Sequence, residues 1–264
     1  MKYFVVADVH GFYSEMMRAL NEKEFDETNP EHKLIVCGDL TDRGTEALQM
    51  QKYILHLIEL NKVVLVRGNH EDLVLEMLDN FNEYIRPCID WTHHFRNGTF
   101  DTMLQLSGET YFDAAGAPDE FVAACRETPY IKKIIPQTVD FFETKHYIFV
   151  HGWIPCNADE IEPSYSFNPQ WRNATPEAWE QARWFNGVRL AHYHDIKEIG
   201  KTIVCGHWHC SYGWSHIRQK RQEFPQKNRK DWQKSFEPYT EEGVIAIDAC
   251  TAYSGIVNCI VIDD

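Results

Sequence analysis

Five short strings in this chain carry side chains that bind cations or move protons. They are Asp8-Val9-His10-Gly11, Gly38-Asp39-Leu40-Thr41-Asp42-Arg43-Gly44, Gly68-Asn69-His70-Glu71, His151-Gly152 and Gly206-His207-Trp208-His209. Their donors are carboxylates, an amide oxygen and imidazoles, without thiolate. That set suits Mn²⁺, Fe or Zn²⁺ better than Ca²⁺ or a structural zinc. The glycines let the backbone turn sharply and let bulky ligands approach. Taken singly, each string has a plainer reading. Asp-x-His arises by chance, Gly-Asn-His makes a turn, and a lone His151 is an ordinary half-buried histidine. Together, in one order and each after an apolar run, they point to one site.

The elements that must position them are short β-branched runs bounded by Gly, Asp or His. Strands are expected over Tyr3–Asp8, Lys33–Cys37, Val63–Arg67, Tyr147–His151, Thr202–Cys205, Gly243–Asp248 and Ile256–Ile262. Their near-continuous apolar character implies that both faces are covered. Helical periodicity falls between them, over Phe12–Asn21, Glu46–Leu60 and Asp72–Phe81. The first third therefore reads β-α-β-α-β-α, which favours right-handed crossovers onto a partly parallel sheet. The last third is mostly strand and predicts a second sheet. The fold class is α/β: two mixed β-sheets packed face to face, with flanking helices. Residues 82–145 read as a helical cap on a single domain spanning 1–264. In such sheets ligands collect at the carboxyl ends of the strands, so five strand ends would converge on one point.

Composition limits the function classes. The chain has 264 residues, 44% hydrophobic and 25% charged, enough for a full apolar core without disulfide staples. Its formal net charge of −14 argues against binding a nucleic-acid duplex and leaves room for bound cations. No apolar run reaches the ~18 residues of a membrane helix, and Asp8 comes too early for a signal peptide. The expectation is a cytoplasmic protein without membrane partners, its eight cysteines mostly buried and reduced. Nothing in the sequence encodes an oligomeric state.

The strings resemble those of the metallophosphoesterase superfamily, the calcineurin-like phosphoesterases. Asp42-Arg43-Gly44 and Val66-Arg67-Gly68-Asn69-His70-Glu71 are similar to its phosphoprotein phosphatase branch. That branch includes Ser/Thr protein phosphatases, small bacterial and phage phosphatases, and symmetrical diadenosine tetraphosphatases. Trp91 through Asn97-Gly98-Thr99-Phe100-Asp101-Thr102 resembles a stretch of the bacterial members, with Thr99 replacing a second glycine. The resemblance is strong over 1–102, at His151 and at Gly206–His209, and weak over 103–145 and 157–200.

The resemblance implies an α-β-β-α sandwich and two metal ions, Mn²⁺ first, with Fe or Zn²⁺ as alternatives. Asp8, His10, Asp39 and His209 would hold one ion; Asp39, Asn69, His151 and His207 would hold the other, with Asp39 as the bridge. A hydroxide shared by the ions would attack phosphorus in line. His70 would protonate the leaving oxygen, oriented by Asp42. Arg43 and Arg67 would fork onto phosphate oxygens. The implied activity is phosphomonoester hydrolysis, phosphoserine and phosphothreonine in proteins included. The alternative is symmetrical hydrolysis of dinucleoside polyphosphates such as diadenosine tetraphosphate.

Several residues stay open between two roles. Arg183 is a candidate for a further phosphate-binding arginine, or an arginine on a helix surface. Asp248 could orient a metal-bound histidine or simply make a turn. The aromatics of Gly152–Asp195, Trp184 and Tyr165 among them, could stack on a ring of the substrate or pack the fold. The basic segment 216–234 could face an acidic substrate or be a solvated loop.

Overall fold

Alternation along each strand assigns its two faces. The structure is a computed structural model and describes residues 1–84, 92–158, 164–224 and 234–264. In β1 (Lys2–Val6), Phe4 and Val6 enter one apolar cluster while Val5 enters a second. In β2 (His32–Cys37), Leu34 and Val36 join the first cluster and Ile35 and Cys37 join the second. β3 (Val63–Val66) and β11 (Ile260–Asp263) complete a sheet ordered β11-β1-β2-β3. β1, β2 and β3 run parallel, and β11 is antiparallel to β1.

The second sheet has the order β4-β5-β8-β10-β9. Its strands are β4 (Phe142–Glu143), β5 (Tyr147–Phe149), β8 (Thr202–Cys205), β9 (Tyr239–Glu241) and β10 (Val244–Ala246). β5, β8 and β10 are mutually parallel, with β4 and β9 antiparallel at the edges. Phe149 and Val204 point into the cluster that also holds Val5, Ile35 and Cys37, so that cluster lies between the sheets. Ile148, Ile203 and Val244 point the other way, onto Trp153, Trp171 and Trp179. β6 (Cys156–Ala158) and β7 (Tyr165–Phe167) form a separate two-stranded ribbon.

Three helices cover the outer face of the first sheet: α1 (Tyr13–Glu22), α2 (Ala47–Glu59) and α3 (Asn69–Asp79). The third begins at Asn69 rather than at the expected Asp72. Gly68 caps it in an extended conformation, and the Glu71 carboxylate accepts the Gly68 N–H at 2.8 Å. Helix formation thus starts inside the chemically active string. Much of the region from 92 to 137 is also helical, and Phe100, Met103, Phe121, Tyr130 and Ile134 share one apolar cluster with Phe4 and Val6. That region therefore packs on the first sheet; Gln51 of α2 accepts the Tyr130 N–H at 2.8 Å. Trp91, and Lys227, Arg229 and Lys230 of the basic segment, lie outside the described residues. Among the described residues no helix is long and apolar enough to cross a membrane.

Candidate metal centre

The parallel strands of both sheets deliver their carboxyl ends to one edge. Asp8 and His10 follow β1, and Asp39, Asp42 and Arg43 follow β2. Arg67, Asn69 and His70 follow β3, His151 follows β5, and His207 follows β8. The β1 and β2 loops are laced together by backbone: His10 N donates to Asp39 O at 2.9 Å, and Gly44 N to His10 O at 2.9 Å. Gly206 lies against the β1 loop, where an added Cβ would stand 2.1 Å from Asp8 Oδ2.

Asp39 is the hub. His10 Nε2 and His70 Nε2 lie 3.7 Å and 3.9 Å from its Oδ2, and His151 Nε2 lies 3.3 Å from its Oδ1. Two groups result whose donor atoms could hold a cation: His10, Asp39 and His70, and Asp39, His151 and His207. Asn69 Oδ1 sits 2.8 Å from His151 Nε2. Asp8 accepts the His207 N–H on both carboxylate oxygens, at 2.9 and 3.1 Å.

Hydrogen bonds on the far side of the rings fix the imidazoles. His10 Nδ1 donates to Thr41 O at 3.1 Å and His151 Nδ1 to Cys37 O at 2.9 Å. A carbonyl only accepts, so in the neutral rings each Nε2 presents a lone pair toward Asp39. Burial pushes His10 well below the usual imidazole range, and burial with neighbouring His151 pushes His207 down to about 3. Both rings are thus in the form that ligates cations. Burial tends to raise Asp39, but the imidazoles of His151, His70, His10 and His207 outweigh it and hold Asp39 well below the carboxylate range. Asp8 is raised well above that range by burial and by Asp248 and Asp39. Asp248 is raised to about 7, mainly by burial. Crowded buried carboxylates facing imidazole lone pairs are a donor set that a pair of divalent cations fits.

A second constellation surrounds His70. Its Nδ1 donates to Asp42 Oδ2 at 2.7 Å, and Thr99 Oγ1 donates to the same oxygen at 2.8 Å. Burial lowers the His70 imidazole, but Asp39 and the Asp42 hydrogen bond outweigh it, and the ring is raised above its ordinary value. Arg43 donates from one terminal nitrogen to His10 Nε2 at 2.8 Å and from the other to His70 Nε2 at 3.1 Å. Thr99, which departs from the glycine of the resembling stretch, supplies the hydroxyl that anchors Asp42. Gly98 beside it adopts φ +79°, and a Cβ there would stand 2.3 Å from Arg43 N.

Arg67 and Arg183 meet at a carboxylate that sequence reasoning missed. Asp72 accepts from Arg67 Nε at 2.7 Å on Oδ1 and from Arg183 Nη1 at 2.8 Å on Oδ2. Asp140 accepts from Arg183 Nη2 at 2.5 Å. Arg183 is 8% exposed, so the helix-surface reading is set aside. Gly152, next to His151, packs on it: a Cβ at Gly152 would lie 2.6 Å from Arg183 O. Glu71 was also missed as a structural clamp. Its carboxylate accepts from Asp39 N, Leu40 N, Gly68 N and the Tyr130 hydroxyl.

Two expected ligands, Asp8 and His209, fall in neither group of donors, and His209 lies the further from its expected place. His209 belongs to neither group of donors: Ser211 Oγ lies 2.7 Å from its Nδ1 and Glu223 Oε1 3.6 Å from its Nε2. The left-handed backbone at His207 (φ +64°) turns the chain, and the His209 ring packs against Phe224 instead. Of the four residues expected around the first ion, His10 and Asp39 come together in one group of donors, Asp8 lies beside His207 through its backbone N–H, and His209 points elsewhere.

This arrangement of strand-end carboxylates and imidazoles between two sheets defines a class of metal-dependent hydrolase folds. The chain belongs to the calcineurin-like phosphoesterase family, whose description matches residues 1–239. It is 40% identical over 132 residues to serine/threonine-protein phosphatase 1 of Salmonella typhimurium, covering 50% of this chain and 52% of that protein. It is 28% identical over 179 residues to a symmetrical bis(5'-nucleosyl)-tetraphosphatase of Erwinia tasmaniensis, covering 67% of this chain and 49% of that one. These matches span about half the length of either relative. The fold is similar to a cold-active protein-tyrosine phosphatase of a Shewanella species, with a TM-score of 0.51 and 13% identity. That match covers 100% of this chain and 75% of the other.

Proposed function

We propose that this protein hydrolyses phosphomonoesters, phosphoserine and phosphothreonine in proteins among them. Asp8, His10, Asp39, Asn69, His151 and His207 would hold two cations, Mn²⁺ before Fe or Zn²⁺. The observation that carries the reading is the convergence of three imidazoles on Asp39, two of which, His10 and His151, keep their ring proton on Nδ1 and so leave Nε2 free to ligate. When bound, the cations would neutralise phosphoryl oxygens and acidify the attacking water. Asp42 keeps the proton of His70 on Nδ1 and holds the ring in one orientation. With a second proton on Nε2, His70 is a general acid for the departing alkoxide, and its raised pKa favours that state. Arg43 would give its two terminal nitrogens to phosphate oxygens, as it gives them to His10 and His70 here. Arg67 and Arg183, joined through Asp72, would bind the remaining oxygens as charge builds.

A second reading is symmetrical hydrolysis of dinucleoside polyphosphates, and the aromatic wall beside His207 favours it: the Trp184 and His207 rings are 5.7 Å apart. Turnover of a phosphopeptide and of diadenosine tetraphosphate, measured in the same Mn²⁺ buffer, separates the two. Faster release of ADP than of inorganic phosphate from the peptide would favour the second. The fold and the composition are consistent with a cytoplasmic location, which fractionation would test.

A further inference from the structure

A pocket of about 330 Å³ opens beside the metal centre and is lined by Tyr165, Trp184, Phe185, Arg189, His194 and Trp208 among others. Its volume is at the small end of ligand sites. Trp184 is 45% exposed and Trp208 37% exposed. Scattered exposed aromatics need no explanation; two tryptophans lining one concavity next to His207 do. Tyr165 is held edge-on to both Phe185 and His194, at 5.5 and 5.7 Å between ring centres, which stiffens its part of the wall. Arg189 is exposed on the same pocket and makes no side-chain ion pair among the described residues. Arg43, Arg67 and Arg183, by contrast, each have a carboxylate or imidazole partner.

We infer that this pocket is a nucleobase subsite: it takes the base of a nucleoside polyphosphate whose reacting phosphate lies at the metal centre, while Arg189 pairs with a second phosphate. The inference rests on the phosphoesterase reading and sharpens its second form. A flat ring matches the tryptophan-lined space, since stacking on aromatic side chains accepts any base. The unpaired guanidinium matches the extra phosphate charge, which a simple aryl monoester lacks.

The test has a binding arm and a turnover arm, each on the full chain. Calorimetry with ADP should show Trp184→Ala and Trp208→Ala each weakening affinity about tenfold. The competitive inhibition constant of inorganic phosphate should move less than twofold for Trp208→Ala. Arg189→Ala should weaken ADP but not adenosine. In turnover, Trp208→Ala should lower the ratio of kcat/KM for diadenosine tetraphosphate over glycerol 2-phosphate about tenfold. ADP and phosphate weakening together, or neither moving, would overturn the subsite. Equal losses with 4-nitrophenyl phosphate, at unchanged ADP affinity, would also overturn it by assigning the pocket to a ring on the phosphorus itself. A protein that turns over none of these esters with Mn²⁺ would end the hydrolase reading instead, and the ADP titrations would still decide the pocket.

Discussion

Asp72→Asn tests how the two arginines are held. Asp72 gives one oxygen to Arg67 Nε at 2.7 Å and the other to Arg183 Nη1 at 2.8 Å. Asparagine keeps one acceptor and turns an N–H₂ group toward the other guanidinium. One charge-assisted hydrogen bond is lost, worth about 1.5–3 kcal/mol. The side chains of Arg67 and Asp72 are 24% and 20% exposed, so screening favours the lower end. Arg183 retains Asp140, whereas Arg67 has no other side-chain partner among the described residues. Arg67 is therefore the group set free. If it binds phosphate, kcat/KM for 4-nitrophenyl phosphate should fall roughly 10- to 30-fold at an unchanged fold. In an Arg67→Ala background the same substitution should cost little more, because the pair acts as one unit. Steady-state kinetics with Mn²⁺, with thermal unfolding as the control, gives the answer. Unchanged or improved turnover would mean that Asp72 merely repels the anion, and additive losses would mean that it acts apart from Arg67. Either result refutes the reasoning.

Four further outcomes are expected. His70→Asn should lower kcat for a phosphoserine peptide about 10²- to 10⁴-fold, and less for 4-nitrophenyl phosphate, whose leaving group needs less help from an acid; equal losses in a leaving-group series would argue against a proton donor. Chelation should abolish turnover and added Mn²⁺ restore it, while the Mn²⁺-induced rise in Tm should disappear in Asp39→Asn, as read by calorimetric unfolding. Gly206→Ala should push Asp8 aside, because the new methyl would lie 2.1 Å from Oδ2; a Mn²⁺ titration should show affinity about 10- to 100-fold weaker. The Glu143 carboxylate is held at about 2 by hydrogen bonds from Arg172 and Lys201, below its ordinary 4.5. Its contribution to stability is therefore complete above pH 4.5 and lost as pH falls toward 2. The Tm difference between wild type and Glu143→Gln should be present at pH 7 and close by pH 2.

Much of this architecture is legible in the sequence because buried parallel strands announce themselves as apolar runs. Thr202–Cys205 is a strand over just the expected residues, and α1 and α2 fall within a residue of their expected ends. The final strand shrinks from Ile256–Ile262 to Ile260–Asp263, the four residues that pair with β1. Strands β4, β6, β7 and β9 are two or three residues long, too short to show a period. In the site, residue types and strand-end positions suffice to gather His10, Asp39, Asn69, His151 and His207. They do not suffice for His209, whose direction depends on how one loop turns, nor for Arg183, whose burial depends on Asp72 and Asp140 from distant segments. Asp72 left a faint trace: a second acidic residue directly after Gly68-Asn69-His70-Glu71, in the first turn of the helix that follows Arg67.

What no sequence pattern reveals is the backbone on which the site is built. Asp8, His10, Asp39, Asp42, Arg43 and His207 all have φ between +48° and +74°. Left-handed conformations at such residues cost about 1–3 kcal/mol each and persist only where the surroundings over-determine them. Here the surroundings are the two packed sheets, the backbone ties between the β1 and β2 loops, and the four hydrogen bonds to Glu71. The strain and the ligand geometry have one origin. A carboxylate leaving a strand in the ordinary extended conformation would continue along the sheet edge; reversing φ turns Asp8, Asp39 and His207 back toward a common point. Stabilising substitutions to glycine at these positions would relax the backbone and remove the donor in the same step. The packed interior between the sheets, Val5, Ile35, Phe149 and Val204 among it, is the part of the fold that offsets a strained rim.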